Sequence, residues 1–308
     1  MDLRQLSVFV RVAEAGSFSR AAQELFIAQS ALSQHIARLE ADLGVKLLSR
    51  HSRGVTLTEE GETLFRHAVG ILRGLQQARE AVRHHDAPPT GEVAMGLPVT
   101  LSPLLALPLM AAVAERLPRV RLRLVESNTG FLLEWVRAGR LDLAVLFDDP
   151  GVPELEHLAV LAEELYLLSP PRQAPRGDDT VAFRQLAGLP LLLPGRPHRL
   201  RSTIEAVAAG QGVALTVRFE LESLTIIKQA VRAGLGHTIA SWASAQEEVL
   251  EGRLTRLRII DPPIRRTVVL TTVLTRPLSR GSLAVRDLLA ELMRELVESG
   301  RWRAELLD

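Results

Sequence analysis

The chain has 308 residues, of which 47% are hydrophobic and 24% charged, and its formal net charge is +1. This length predicts more than one domain, each with its own core. The absence of cysteine excludes disulfide frameworks and thiolate metal sites. A net charge so close to zero does not itself indicate a nucleic-acid partner, because recognition depends on where the cations are placed.

The N-terminal sequence MDLRQLSVFV is an amphipathic start that lacks the basic segment and long apolar run of a signal peptide. The apolar runs of the chain are far shorter than the roughly 20 residues that span a bilayer. These features predict a cytoplasmic protein with no membrane partner. No histidine pair has the spacing of a metal site, and neither a metal nor another cofactor is expected.

Three short helices are predicted at the N-terminus. Apolar residues at helical spacing predict a first helix that ends near Gly16, and Ser17 or Ser19 can cap the second. The third helix is predicted from about Gln29 to Leu43, with Gly44 as its left-handed C-cap. Two short helices separated by a tight break are typical of a helix-turn-helix.

A small hairpin with a polar tip is predicted over residues 47–57. Thr58, followed by acids in the first turn, predicts the start of a long helix that continues to about His85. This helix has one apolar stripe and no predicted core of its own, which is typical of a helix that packs on a partner. The segment 87–91, rich in proline and glycine, predicts a hinge.

Strands and helices alternate over residues 92–308. This alternation predicts parallel sheets that are covered on both sides by helices. Two such sheets would form two lobes with a cleft between them. Lobe I is predicted at about 92–161 and 267–308, and lobe II at about 162–266.

The third helix carries the candidate DNA-reading residues, because a helix-turn-helix inserts the start of its second helix into the major groove. The polar residues that can reach base edges there are Gln29, Ser30, Ser33 and Gln34. Glutamine can pair bidentately with adenine, and serine can bond to several bases. Arg50 and Arg53 flank this edge as phosphate or minor-groove contacts. The alternative is a three-helix bundle with a polar surface.

The N-terminal segment resembles the DNA-binding domain of the LysR-type transcriptional regulators. The matching residues are Leu6, Phe9, Gly16–Phe18, Ala21, Ala22, Ala31–Ser33, Ile36, Leu39, Glu40, Leu43, Gly44, Leu47, Leu48, Arg50 and Thr56–Gly61. The resemblance extends across the whole chain. Within the family, the segments Ile27–Ser30 and Leu193–Arg201 are most similar to regulators of nitrogen assimilation and aromatic catabolism.

The resemblance implies a multidomain fold. A winged helix-turn-helix occupies residues 1–58, a dimerising linker helix 59–86, a hinge 87–91, and a two-lobed α/β effector domain 92–308. The effector domain is expected to be similar to periplasmic solute-binding proteins. The implied partners are promoter DNA, a small-molecule effector, RNA polymerase and further copies of the chain, in a homodimer or more often a homotetramer.

The effector is expected at the carboxyl ends of strands, where helices begin. Backbone N–H groups, hydroxyls and arginines at such points favour a small carboxylate or similar anion. The resemblance favours five residues as liners of the cleft: Thr100, Ser102, Thr129, Phe147 and His198. Arg199 adds a cation to this set. Two alternatives remain: the hydroxyls only cap helices and the arginines are solvated, or the segment Arg196–Arg201 faces another subunit.

These features predict a ligand-responsive transcription regulator with no catalytic residues. Effector binding would change the closure of the lobes and the placement of the DNA-binding domains. One alternative is a metabolic enzyme with an appended winged helix, but no nucleophile elbow, phosphate loop or zinc pattern is found. A solute-binding protein is disfavoured by the first 86 residues. Effector, target genes and direction of regulation stay open.

Overall fold

The computed structural model describes residues 1–51, 54–83, 88–149, 151–175 and 179–307. Its helices are α1 (Leu3–Ala15), α2 (Phe18–Leu25), α3 (Gln29–Leu43), α4 (Glu59–Arg83), α5 (Ser102–Arg116), α6 (Thr129–Arg137), α7 (Arg199–Gln211), α8 (Leu224–Arg232), α9 (Trp242–Leu250) and α10 (Arg280–Glu298), with a 3₁₀ helix at Phe183–Gly188. Its strands are β1 (Leu48–His51), β2 (Gly54–Leu57), β3 (Gly91–Pro98), β4 (Val120–Ser127), β5 (Leu143–Phe147), β6 (Leu155–Ser169), β7 (Thr180–Ala182), β8 (Leu191–Leu193), β9 (Val217–Glu220), β10 (Thr238–Ser241), β11 (Thr255–Ile260), β12 (Arg265–Val273) and β13 (Ala304–Leu306).

Local signals set the ends of the first three helices. The side chain of Ser17 accepts a hydrogen bond from the backbone of Arg20 and caps α2. Gly16 and Gly44 adopt left-handed conformations, with φ of 61° and 70°, and end α1 and α3. The predicted boundaries of α3 are therefore confirmed. The antiparallel pair β1–β2 forms the wing, and the two residues at its tip lie outside the described residues.

The first half of α4 belongs to the core of the helix-turn-helix. Ala68 is fully buried there, and Leu64, Phe65, Val69 and Leu72 pack against the same cluster. The prediction that the long helix has no core of its own is therefore wrong for this half. The residues predicted at 84–86, and the first residue of the predicted hinge, lie outside the described part of the chain.

Gly61, in the first turn of α4, allows this helix to pass close to the wing. A Cβ atom at this position would overlap the backbone carbonyl of Leu47. We expect Gly61→Ala to destabilise the chain by roughly 1–3 kcal/mol, the usual cost of overpacking. The measurement is a lowered midpoint of urea unfolding. The matched control is Gly210→Ala in α7, where nothing lies within 4 Å of the added Cβ. A control that destabilises as much as Gly61→Ala would contradict this explanation.

One strand, β6, belongs to both lobes of the α/β domain. Its first half lies in the lobe I sheet, which has the order β4-β3-β5-β12-β6 and adds β13. Its second half pairs with β10 and β11, and β7 completes this lobe II sheet. The cleft between the lobes therefore lies beside β6 and the returning strand β12.

The prediction of purely parallel sheets is wrong. Strand β3 is parallel to β4 and β5, but β12 is antiparallel to both β5 and β6. The chain returns from lobe II to lobe I along β12, in the direction opposite to β6, and this return makes the sheets mixed. The strands β7 and β13 have three residues each, too few to show an alternating pattern in the sequence.

Helices cover the sheets as predicted, with one shifted boundary. The sequence pattern predicts this helix over about 106–117, but α5 begins at Ser102, with proline in its first turn. Large apolar clusters fill each lobe. No helix of the described residues is long and apolar enough to cross a membrane.

Candidate DNA interface and effector cleft

The start of α3 presents a polar edge on the surface of the molecule. Gln29, Ser30 and Gln34 are exposed, and Ser33 is half-buried. The N-cap residue, Ala28, makes no side-chain hydrogen bond, so the first backbone N–H groups of the helix have no side-chain cap. Uncapped N–H groups at a helix start are suited to an anion such as a backbone phosphate.

Neighbouring side chains hold the two flanks of this edge. The hydroxyl of Ser19 donates to the amide oxygen of Gln29 at 3.2 Å. The guanidinium carbon of Arg50 lies 4.2 Å from the centroid of the Phe18 ring, a cation–π contact. Arg50 thus lies beside α2, near the tip of the wing, and is exposed. The other predicted cation, Arg53, lies outside the described residues.

A buried carboxylate near the end of α3 fixes the wing to this helix. The Oε1 atom of Glu40 accepts from the backbone N–H of Leu47 at 3.0 Å and from that of Leu48 at 3.4 Å, and Oε2 accepts from Lys46 Nζ at 2.6 Å. Burial raises the pKa of Glu40, but these hydrogen bonds outweigh it and hold the pKa below its usual value. The wing therefore has a fixed position relative to the polar edge of α3.

A cavity of about 480 Å³ lies between the two lobes. Four residues predicted from the sequence line this main cavity: Thr129, Phe147, His198 and Arg199. Thr100 lines two smaller extensions of about 30 and 50 Å³. Ser102 lines none of these three cavities. The structure thus brings together five of the six predicted residues.

The smallest spaces of the cleft contain two unsatisfied hydroxyls. Thr100 Oγ1 and Ser241 Oγ are buried and have no hydrogen-bond partner among the described residues. Both residues line the same extension of the cleft. A buried polar group without a partner costs roughly 1–3 kcal/mol. A ligand or water that bonds to these hydroxyls would remove that cost.

His198 supplies a neutral donor to the cleft. It caps α7, and its Nδ1 atom accepts from the backbone N–H of Leu200 at 3.2 Å. Desolvation lowers the pKa of His198 below its ordinary value, and the Arg266 charge acts in the same direction, while Glu222 opposes them. The ring is therefore neutral near pH 7, and its proton resides on Nε2, because Nδ1 acts as an acceptor.

Arg266 lies under the cleft and was not identified from the sequence. Its Nε donates to Glu163 Oε1 at 2.8 Å, and Trp302 Nε1 donates to the other carboxylate oxygen at 3.0 Å. Its guanidinium carbon lies 3.4 Å from the centroid of the Phe147 ring. Arg266 also lines both small extensions of the cleft. A buried and oriented guanidinium is well suited to a carboxylate ligand.

Arg199 connects the lobes across the mouth of the cleft. Its Nη2 donates to the backbone carbonyl of Asp149 at 2.9 Å, and its Nε lies 3.7 Å from the carboxylate of Asp148. Arg199 begins α7 in lobe II, whereas the two aspartates follow β5 in lobe I. A change in lobe closure must therefore change this contact.

The other arginines of the segment 196–201 have structural partners. Arg196 and Arg201 both bind the carboxylate of Glu205, at 2.7 and 2.6 Å. Arg201 is buried and also donates to the carbonyl of Pro194. Of the three arginines in this segment, Arg199 is therefore the one whose contacts span the cleft.

Two family models together match most of the chain. One, described as the bacterial regulatory helix-turn-helix protein of the lysR family, matches residues 3–62. The other, described as the LysR substrate binding domain, matches residues 86–296. The chain belongs to the LysR family of transcriptional regulators. Its fold is thus an N-terminal helix-turn-helix domain followed by a two-lobed effector-binding domain, as predicted.

Full-length relatives of this LysR-type protein support the same conclusion. The HTH-type transcriptional regulator BbuR of Bordetella bronchiseptica is 32% identical over 98% of this chain and 93% of its own. The nitrogen assimilation regulatory protein nac of Klebsiella aerogenes is 33% identical over 95% of each chain. These relatives are transcription regulators and not enzymes. The second of them belongs to the subgroup that the sequence resembles.

Solved structures of LysR-type regulators share the whole fold. A full-length OxyR variant from Pseudomonas aeruginosa covers 96% of this chain, with 95% of its own chain covered, a TM-score of 0.76 and 23% identity. The structure of CbnR in complex with its target DNA aligns with 96% of this chain over 99% of the CbnR chain. The TM-score is 0.69 and the sequence identity is 22%. At these identities the likeness shows the fold alone.

Proposed function

We propose that this LysR-type regulator binds a small anionic effector between its lobes and thereby changes its action on promoter DNA. The observation that carries the effector class is the pair of unsatisfied hydroxyls of Thr100 and Ser241 beside Arg266. Hydroxyl donors with a buried guanidinium and a neutral histidine match the oxygens of a carboxylate. Thr129, at the start of α6, and Arg199 add further donors at the main cavity.

At the other end of the chain, Gln29, Ser30, Ser33 and Gln34 read base edges in the major groove. Exposure of this edge supports the assignment. Arg50, and Arg53 on the wing, neutralise the DNA backbone on either side. The rigid contact between α3 and the wing keeps the base-reading and backbone-binding groups in one geometry.

In the proposed assembly, α4 forms a homodimer and two dimers form a tetramer that contacts RNA polymerase at promoters in the cytoplasm. Ile71, in the middle of α4, supports this proposal, because this apolar side chain is 46% exposed on the described surface. We divide the chain into a DNA-binding domain (1–58), a linker helix (59–86), a hinge (87–91) and an effector domain (92–308). An effector shifts the assembly only if it binds one arrangement more tightly than the other.

The effector class is tested by calorimetric titration with small aliphatic and aromatic carboxylates and with their neutral amides. We expect affinity for carboxylates to rise as pH falls from about 7.5 to 6, by at most roughly tenfold per unit. A bound anion raises the lowered pKa of His198, so binding takes up a proton. His198→Asn, which retains an N-cap, should remove this pH dependence.

A second variant tests the hydroxyl directly. Thr100→Val should weaken carboxylate binding by roughly 5- to 10-fold, the loss of about 1 kcal/mol for one hydrogen bond. The matched control is Thr225→Val, whose hydroxyl is on the exposed side of α8. Amides that bind as tightly as carboxylates, or a Thr100 variant equal to the control, would contradict an anionic effector in this cleft.

A further inference from the structure

α6 lies between the effector cavity and the linker helix. Its first residue, Thr129, lines the cavity between the lobes. Its other side faces a separate space of about 730 Å³ between α4 and lobe I. Glu134 is unusual because it lines both cavities. A change in the occupant or shape of either cavity can therefore affect the side chain of Glu134.

The C-terminal end of α6 is packed directly against the middle of α4. A Cβ atom on Gly70 would overlap the carbonyl of Ala138, so the two backbones approach as closely as glycine allows. Arg73 of α4 donates to the carbonyl of Arg140 at 2.7 Å and pairs with the buried Asp142 at 2.9 Å. The side chains of Arg73 and Asp142 are largely buried, and their contacts fix the C-terminal end of α6 to the linker helix.

The ion pair nearer the effector cavity is of a different kind. Arg66 Nη1 of α4 donates to Glu134 Oε1 at 3.0 Å, and both side chains are more than 40% exposed. An exposed pair of this type contributes little to stability and can rearrange. It is thus an adjustable contact, unlike the close approach of Gly70 to Ala138 and the buried pair of Arg73 with Asp142.

We propose that Glu134 couples the effector cavity to the DNA-binding region through its ion pair with Arg66. An effector that contacts the first turns of α6 shifts Glu134, and this shift changes how α4 is held against lobe I. α4 continues into the winged helix core through Ala68, so the change reaches the DNA-binding domain. This inference rests on the proposed function, and linkage requires that DNA binding also act back on α6.

The reverse direction permits a test without a known effector. The probe is the genomic duplex that the full-length protein captures, and the readout is amide hydrogen exchange of residues 132–137. We expect the duplex to slow exchange of these amides about threefold or more in the wild type. Arg66→Gln and Glu134→Gln should lose this effect, and the double exchange Arg66→Glu with Glu134→Arg should recover it in part.

The matched control is Arg116→Gln, which breaks the ion pair between Arg116 and Glu291 elsewhere in lobe I. The two side chains of this pair are 2.8 Å apart and are about as exposed as those of Arg66 and Glu134. This variant should respond to the duplex like the wild type. If the wild type captures no duplex, the proposed function fails and this inference fails with it. If it binds DNA while exchange in α6 stays unchanged, or if the Arg66 and Glu134 variants respond like the wild type, the inference alone is overturned.

Discussion

Gln29→Ala is expected to weaken binding to the specific promoter duplex by roughly 5- to 150-fold, the equivalent of one bidentate base contact of about 1–3 kcal/mol. Gln29 is exposed at the start of α3, and its amide is positioned by Ser19. The loss should be confined to the specific sequence, because the amide contributes no charge. Fluorescence anisotropy with a specific and a scrambled duplex, at several salt concentrations, measures both quantities.

Arg50→Ala provides the contrast that separates base reading from backbone binding. It should weaken binding to both duplexes alike and reduce the slope of log affinity against log salt by about one. Gln211→Ala, at the far end of α7, should have no effect on either duplex. Equal affinity of Gln29→Ala and wild type for the specific duplex at every salt concentration would contradict the assignment of α3 as the reading helix.

Glu163→Ala is expected to destabilise the effector domain by about 3–5 kcal/mol, because it leaves Arg266 buried without its counter-charge. The side chains of Glu163 and Arg266 are only 0% and 5% exposed, and Trp302 donates to the same carboxylate. Urea unfolding of the full chain, followed by tryptophan fluorescence, measures the loss directly.

Two further variants establish the cause of that loss. Glu291→Ala removes the acid of an exposed pair with Arg116, and should cost less than about 1 kcal/mol. Glu163→Gln retains a hydrogen-bond acceptor and nearly the same volume, so its cost should fall between the other two. A loss in Glu163→Ala no larger than that in Glu291→Ala would show that the buried charge pair is not needed for stability.

The DNA-binding region could be predicted from the sequence because its signals are local. Gly16 and Gly44 end α1 and α3, and Ser17 caps α2, each within a few residues of the boundary that it sets. The polar start of α3 stands out against its apolar opposite face for the same reason. Glu40 was predicted only as a matching residue, since its hydrogen bonds to the wing depend on how the hairpin folds back.

The cleft could be predicted only where it follows from strand ends. Thr129 and Phe147 lie where β4 and β5 give way to the next element, and both line the main cavity. Ser102 also follows a strand closely, but it is the first residue of α5, which begins earlier than predicted. Arg266 and Ser241 come from strands whose partners are distant in sequence, so no local pattern brings them together.

One sequence signal could have indicated the buried pair. Two acids, Glu163 and Glu164, and two cations, Arg265 and Arg266, stand as adjacent doublets in strands β6 and β12. The antiparallel register opposes Arg265 to Glu164 and Arg266 to Glu163, one pair on each face of the sheet. Opposite charges that face each other on paired strands are favourable. Complementary doublets therefore predict that β6 and β12 pair in the antiparallel direction, which the alternation of strands and helices did not indicate.

The most direct test of the account is methylation interference on the captured genomic duplex. Methyl groups at guanine N7 project into the major groove, and those at adenine N3 into the minor groove. If the polar edge of α3 reads base pairs, modified guanines should block binding in half-sites whose centres are separated by whole helical turns. Binding that tolerates every major-groove methyl group, on a duplex that the protein binds specifically, would contradict this reading.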